Sequence, residues 1–405
     1  MRVIVQKFGG AVLATPAGRQ AAANKIIKAI EDGYSPLVVV SAMGRYGAPY
    51  ATDTLIGMVK DLNPHVAARD LDIIMQCGEM ISATVMSALL QAAQYPTKVF
   101  TGQQAGIITN NNFGAANILR VDTSRLRPCL LSGQIPIVCG FQGANNVPEL
   151  TTLGRGGSDT TATALGAVFK AELIEIYSAT DGFMSADPRI VSNAVLLENI
   201  TYSEALQLAQ LGTKIIHPRA VEIAMQKNIP IVIKSVSGEK SGTMISNKPL
   251  DTEETAICDA IATGITYSSA LTQFSLRTEP AHTHAQGLQI FKALADAQVN
   301  VDFINIHPGH VMFTVAQEQT DAALQILKTL DCAPTVLRDC AKVTVIGGGM
   351  GEVPGVMATF VESLAEKNIN ILQTVDSQSS ISVLVSRDDV AKAVQALHDS
   401  FKMGS

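Results

Sequence analysis

The sequence predicts an α/β protein: a mostly parallel sheet covered by helices, followed by a pair of small α+β modules. Three observations carry that expectation. Short β-type runs alternate with helical stretches in the first half of the chain. The last third repeats itself at a fixed spacing. One glycine-rich turn leads directly into a helix-forming segment.

The strand-like runs are Val3-Ile4-Val5, 36–41, Lys98-Val99-Phe100, 135–139 and 173–177, with helical stretches such as 18–32 and 71–91 between them. Parallel neighbours need a crossover, usually a helix, so this alternation argues for a parallel sheet. Ligands of such sheets bind beyond the carboxyl ends of the strands. Lys7, Ser41, Gly140 and Ser178 each follow a strand-like run and are expected to line one crevice. Further along, the pattern recurs after seventy positions. Leu294-Ala295 falls on Leu364-Ala365, Val299-Asn300-Val301 on Ile369-Asn370-Ile371, and Val311, Phe313 and Val315 on Ile381, Val383 and Val385. Each unit reads strand, helix, strand, strand, helix. Such a pair is either a structural or dimerisation tail or a ligand-binding regulatory region.

The 405 residues suggest two or three domains, and 47% hydrophobic against 16% charged residues is enough to build substantial cores. A net charge of −6 without a basic cluster argues against nucleic acid as a partner. No run of about 18 consecutive apolar residues occurs, so a membrane span is not expected. The N-terminus enters a strand without an apolar signal region. The six cysteines lack CxxC spacing, which disfavours zinc and a disulfide framework and fits reduced thiols in the cytoplasm.

The segment Thr151-Thr152-Leu153-Gly154-Arg155-Gly156-Gly157-Ser158-Asp159 concentrates the chemistry. Glycines let backbone N–H groups approach an anion, and the helix that follows adds its positive dipole end. Arg155 can grip a carboxylate with two parallel hydrogen bonds. An anionic nucleotide beside an acidic substrate makes phosphoryl transfer the first hypothesis. Lys7-Phe8-Gly9-Gly10 offers a cation and two glycines after the first strand, or else a simple turn; no Walker-type GxxxxGK[ST] occurs. Glu79, within an apolar helical run, is either a surface carboxylate or a partner for a substrate ammonium. Arg189 in Asp187-Pro188-Arg189 sits in a capped turn or reaches nucleotide phosphates. Lys214 is a second candidate for phosphate, and His217 reads as structural.

Together these groups resemble the aspartate kinases of the amino-acid kinase superfamily over essentially the whole chain. The likeness rests on Lys7-Phe8-Gly9-Gly10, Ser41-Ala42-Met43-Gly44, Thr52-Asp53, Cys77-Gly78-Glu79, Gly140-Phe141-Gln142-Gly143, the run 154–159, Ala186-Asp187-Pro188-Arg189 and the run 214–224. The resemblance, closest to the monofunctional Gram-positive type, implies a three-layer αβα amino-acid kinase fold over 1–245. Two ACT (βαββαβ) modules would follow over 246–405. The first would cover about 265–335, and the second about 340–402 with a strand contributed from 256–264.

The resemblance also implies roles. Lys7, Asp159 and Arg155 would be catalytic, with Lys7 bridging the substrate carboxylate and the transferring phosphoryl group. Ser41, Thr52, Glu79, Arg155 and Ser158 would hold L-aspartate, Glu79 at its ammonium and Arg155 at its α-carboxylate. Lys7, Gly9, Gly10, Ser178, Phe183, Arg189 and Lys214 would bind ATP, with the two glycines donating backbone N–H bonds and Mg²⁺ assisting without direct protein ligands. The product would be 4-phospho-L-aspartate, the first intermediate towards lysine, diaminopimelate, threonine and methionine. A homodimer is implied, with an amino-acid effector at the ACT interface near Asn300, Asp302, Asn370 and Asp376. Two positions depart from the family pattern. Ala11-Val12 replaces Thr-Ser after the first glycine pair, and Ser178-Ala179 replaces Thr-Asp. A hydrogen bond to a charged group is worth about 1.5–3 kcal/mol. Alternative readings are therefore a catalytically impaired regulatory or amino-acid-binding subunit, or a kinase for another carboxylated amino acid.

Overall fold

The computed structural model describes residues 1–213, 215–238, 240–247, 261–348, 350 and 353–404. The chain divides into two compact units. The first comprises Met1–Phe183, Leu196–Gln210 and Lys214–Ala256; the second comprises Met184–Val195, Leu211–Thr213 and Ile257–Ser405.

The strands of the first unit are β1 (Val3–Phe8), β2 (Ser35–Val40), β3 (Thr97–Phe100), β4 (Ile107–Thr109), β5 (Ile118–Val121), β6 (Ile135–Cys139), β7 (Gln142–Ala144), β8 (Leu150–Thr152), β9 (Leu173–Ser178), β10 (Asn199–Ile200), β11 (Ile231–Ser235) and β12 (Thr243–Ile245). Eight form one sheet in the order β10-β12-β11-β9-β1-β2-β6-β3. The run from β11 to β3 is parallel throughout, and β12 is antiparallel to β11. Both faces of a parallel sheet are covered, so its strands read as nearly continuous apolar runs. Val3, Ile4, Val5 and Phe8 of β1 and all of Leu37, Val38, Val39 and Val40 in β2 are buried accordingly. The polar exceptions find one another. Glu175 on β9 accepts from Gln6 Nε2 (2.7 Å) and Tyr177 Oη (2.9 Å) and pairs with Lys234 Nζ (2.6 Å).

All five strand-like runs became strands, and the helical stretches became Pro16–Glu31 and Ala68–Ala92. Thr15 starts the first of these by accepting the Gly18 N–H (3.1 Å), with proline at its first turn. A second, four-stranded sheet, β5-β4-β7-β8, was not foreseen, because strands of three or four residues show no usable periodicity. Helix Ala68–Ala92 is long and apolar enough to cross a membrane by length and composition. Here it is a core helix, and its buried stripe includes Asp72, Gln76 and Glu79.

The second unit carries β13 (Gly264–Arg277), β14 (Val301–His307), β15 (His310–Ala316), β16 (Thr335–Ile346), β17 (Gln373–Asp376) and β18 (Ser380–Ser386) in one sheet, ordered β14-β15-β13-β16-β18-β17. All its neighbouring pairs are antiparallel. The repeat is real: β15 and helix Thr320–Thr329 recur seventy residues later as β18 and helix Val390–Ser400. Each half has its own core, one around Phe274, Phe313 and Leu294, the other around Val343, Phe360 and Leu397. The strand expected at 256–264 falls partly on 256–260, outside the described residues. Within them the strand begins at Gly264, and Gly264–Ser268 pairs with 342–346 of β16. The ladder then breaks near Ala270 (φ 64°), and the rest of β13 pairs with β15 as well. One long strand thus serves both halves of the repeat.

Candidate active site

Lys7 near the end of β1, Ser41 just after β2, Thr52 and Glu79 on two helices, and the start of helix Gly157–Phe169 wall a single cavity of about 570 Å³ in the first unit. Gly10, Arg155, Ser158 and Asp159 complete the expected set, and Arg45 and Phe141 also line it.

Lys7 Nζ lies 2.6 Å from Asp159 Oδ1, and both side chains are largely buried. The contact is an ion pair, and no hydrogen bond among the described residues satisfies that oxygen. Asp159 stands in the first turn of helix Gly157–Phe169, where a carboxylate is favoured by the helix dipole. The turn before it needs glycine. Gly154 (φ 74°) and Gly156 (φ 69°) are left-handed, and a Cβ on Gly156 would lie 2.2 Å from the His217 side chain. Arg155 projects between them, exposed, and its guanidinium bonds to none of the described residues.

Glu79 is 2% exposed. Its Oε1 accepts the Ala42 N–H (3.0 Å), while Oε2 has no partner. Burial raises its pKa to about 8, against the lowering effect of the Ala42 N–H. Gly78 permits this approach, because a Cβ there would meet Ala42 Cβ at 2.6 Å and Tyr50 O at 2.7 Å. The helix carrying Glu79 therefore presses directly on the chain that follows β2. Gly10 is constrained in the same way, since a Cβ would meet Ala42 O at 2.4 Å. Phe141 holds a left-handed backbone (φ 68°), uncommon for a bulky residue, and its N–H donates to Thr161 Oγ1 (3.1 Å).

Other expected residues lie elsewhere. Gly9 departs from its assigned role, because its N–H already donates to Tyr177 O (3.1 Å) and ties β1 to β9. Gly140 packs beneath Ser158 instead of lining the cavity; a Cβ there would meet Ser158 Oγ at 2.7 Å. Ser178 Oγ accepts the Thr180 N–H (3.3 Å). Phe183 is fully buried, its N–H given to Thr243 Oγ1 (2.8 Å), so its ring is core rather than a face for a nucleobase. Arg189 belongs to the second unit and pairs with Asp187 (2.6 Å). Lys214 lies outside the described residues. His217 is structural, as expected: it caps helix Pro218–Lys227, its Nδ1 accepts the Arg219 N–H (3.3 Å), and burial lowers its pKa. Of the departing residues, Val12 is buried in the apolar core with Phe8 and Met43, whereas Ala11 and Ala179 are exposed.

In the second unit, Asp302 and Asp376 line a cavity of about 350 Å³ with Lys342, Ser377 and Ser382. Asp302 is ion-paired with Lys342. Asn300 and Asn370 do not line it; the Asn300 N–H donates to Gln319 Oε1 (3.2 Å). Sequence reasoning missed Arg45 and Asp72. Asp72 carried a usable signal, since it precedes Glu79 by two helical turns on the same buried stripe.

Residues 2–235 match the amino acid kinase family, and residues 335–399 match an ACT domain. Aspartokinase 1 of Bacillus subtilis is 42% identical over 403 residues, covering 100% of both chains. The aspartokinase of Geobacillus stearothermophilus is 37% identical over 407 residues, covering 99% of this chain and 97% of its own. The fold matches the crystal structure of E. coli aspartokinase III in complex with aspartate and ADP, at a TM-score of 0.77 and 23% identity, over 98% of this chain and 99% of that one. The cavity that joins Lys7, Glu79, Arg155 and Asp159 thus lies within the part of the chain that carries the match, and the chain belongs to the amino acid kinase family as an aspartokinase.

Proposed function

We propose that the protein transfers the γ-phosphoryl group of ATP to the side-chain carboxylate of L-aspartate, giving 4-phospho-L-aspartate. The observation that carries this reading is the Lys7–Asp159 contact on the wall of a cavity that also holds Glu79 and Arg155. Those groups suit an acidic amino acid. The guanidinium of Arg155 takes the α-carboxylate bidentately. The unpartnered Oε2 of Glu79 takes the ammonium, and Glu79 gives up its proton as it does so. Ser41, Thr52 and Ser158 supply hydroxyls around the remaining oxygens. Phosphoryl transfer needs alignment and charge stabilisation more than covalent help. Lys7 provides a buried positive charge where the attacking carboxylate and the transferring phosphoryl oxygens meet, and Asp159 holds it there. The Gly10 backbone and the N-terminus of helix Gly157–Phe169 favour the phosphate anion. Mg²⁺ would enter with the nucleotide and would supply further neutralisation of phosphate charge. Arg189 and Lys214 remain the proposed nucleotide cations.

The second unit is proposed as a tandem ACT region that binds an amino-acid effector around Asp302 and Asp376, in a cytoplasmic homodimer. Unpaired thiols at Cys77, Cys129, Cys139, Cys332 and Cys340 support a reducing compartment. Hydroxylamine trapping of the acyl phosphate, with ATP, Mg²⁺ and aspartate, tests the reading. Lys7→Ala should abolish hydroxamate formation while leaving the thermal transition in place. Near-full turnover in that variant would overturn the assignment.

A further inference from the structure

Asp72 is completely buried, yet among the described residues no cation pairs with it. Its carboxylate instead accepts from two stretches of chain that border the arginine loop. The Gly114 N–H reaches both oxygens at 3.0 Å, the Thr152 N–H reaches Oδ2 at 2.9 Å, and Thr152 Oγ1 donates to Oδ1 at 2.7 Å. Burying a charge on neutral donors alone is expensive, and only a group able to accept several hydrogen bonds at once satisfies all three donors. An amide of the same shape would turn an NH₂ towards one of them.

These donors hold the loop from both sides. Thr152 ends β8, three residues before Arg155. Leu153 N–H donates to Phe141 O (2.9 Å), and Gly154 lies so close to Gly114 that a Cβ would meet its carbonyl oxygen at 3.2 Å. Gln76, one turn beyond Asp72, donates to Thr151 O (3.1 Å). Arg155 has no anchor of its own among the described residues, so its position derives from this clamp. Helix Ala68–Ala92 carries Asp72, Gln76 and Glu79 on one stripe. A single rigid element therefore bears the ammonium site and fastens the loop that bears the carboxylate site.

We propose that Asp72 is a positioning residue for the amino-acid substrate: by locking Thr152 and Gly114 to the helix of Glu79, it fixes the separation of Glu79 and Arg155. The proposal rests on the aspartate reading above. Displacing a binding group by about 1 Å commonly costs tenfold to a hundredfold. Asp72→Asn should raise the KM for aspartate by roughly tenfold or more, with kcat and the KM for ATP changed by no more than about twofold.

The decisive measurement is a double-mutant cycle with Arg155→Ala in the full-length enzyme. If Asp72 acts through Arg155, Asp72→Asn adds no further rise in aspartate KM on that background. Multiplying effects, or equal losses in kcat and both KM values alongside a lower melting temperature, would overturn the proposal and leave Asp72 a stability residue. Thr152→Val removes only the hydroxyl bond and is expected to shift aspartate KM in the same direction by a smaller factor. It decides the matter if Asp72→Asn does not fold, and an unchanged aspartate KM in that variant counts against the clamp. Failure of the unmodified enzyme to turn over aspartate would instead sink the substrate reading.

Discussion

On the acceptor side of the first unit, Lys7, Glu79, Arg155 and Asp159 converge on one cavity from one strand end, two helices and a glycine turn. The residues expected around the nucleotide are arranged differently. Ser178 is engaged with Thr180, Phe183 is sealed in the core, Arg189 is paired with Asp187 in the second unit, and the Gly9 N–H is spent on Tyr177. Glu79 is held by a buried hydrogen bond, Lys7 by its ion pair with Asp159, and the turn that bears Arg155 by glycines and by the Asp72 hydrogen bonds. Most of the expected donor-side groups are already occupied with their own neighbours. Recognition of a small amino acid demands fixed spacing between a carboxylate site and an ammonium site. A flexible triphosphate tolerates cations that arrive from elsewhere.

The largest effect that would sharpen this contrast falls on stability. Phe183→Ala should cost about 3–5 kcal/mol of folding free energy, as for other fully buried aromatic residues. The fraction that stays folded should bind ATP normally. A variant with an unchanged melting temperature and a raised KM for ATP would show that the ring serves the nucleotide after all. Next in size is Arg155→Ala. Losing a charge-assisted contact of about 1.5–3 kcal/mol raises aspartate KM roughly tenfold to a hundredfold. The KM for ATP should not move; if both rise together, the two halves are not separable.

Much of this arrangement could be read in the sequence, and the reasons differ by residue. The parallel strands showed themselves as unbroken apolar runs, and the repeat through period-two strands seventy positions apart. The 154–159 run spoke for itself because glycine, arginine and aspartate at that spacing already form one turn and one helix start. What stayed hidden depended on partners distant in the chain. Gly9 has the local sequence of a phosphate donor, but its N–H is accepted by Tyr177 on a neighbouring strand. Phe183 followed a turn and gave no hint that Thr243 and the core enclose it. Asp72 shares a helical stripe with Glu79, but what it binds was hidden because its donors lie at Gly114 and Thr152, far along the chain. A strand contributed to the second module was expected near 256–264, but within the described residues the stretch that pairs with β16 begins at Gly264 and runs on past the break at Ala270, a boundary that no turn residue marks.

A smaller effect probes how the acceptor side is charged. Burial raises Glu79 to about 8, so the empty site holds a neutral carboxyl at pH 7. Binding an ammonium favours the ionised form, and each pH unit below that value costs roughly tenfold in aspartate affinity. Aspartate KM should therefore fall as pH rises from 6 towards about 8 and then level off. Glu79→Gln should show a higher KM with no such slope. The sign for stability is opposite. Between the ordinary value of 4.5 and about 8 the unfolded chain has released a proton that the fold retains, so the ligand-free protein loses stability as pH climbs through that window. Glu79→Gln should abolish this loss in thermal melts. A KM profile that is flat in the unmodified enzyme would mean that the carboxyl does not meet the ammonium.

The smallest effect addresses the donor side directly. Arg189 is 81% exposed at its side chain, and its pair with Asp187 is shared, since Asp187 also accepts the Tyr267 hydroxyl (3.1 Å) and the Arg189 N–H (2.9 Å). The pair is bidentate but its guanidinium stands open to solvent, where water and salt compete for it, so a phosphate can draw Arg189 away from Asp187. Arg189→Ala should accordingly raise the KM for ATP by roughly fivefold or less, leaving aspartate KM unchanged. The rise should shrink further in high salt, where exposed charges are screened. A rise comparable to that of Arg155→Ala would break the comparison. It would require Arg189 to be held as firmly on the phosphates as Arg155 is held by its glycine turn, and Asp187 would then be the group that gives way.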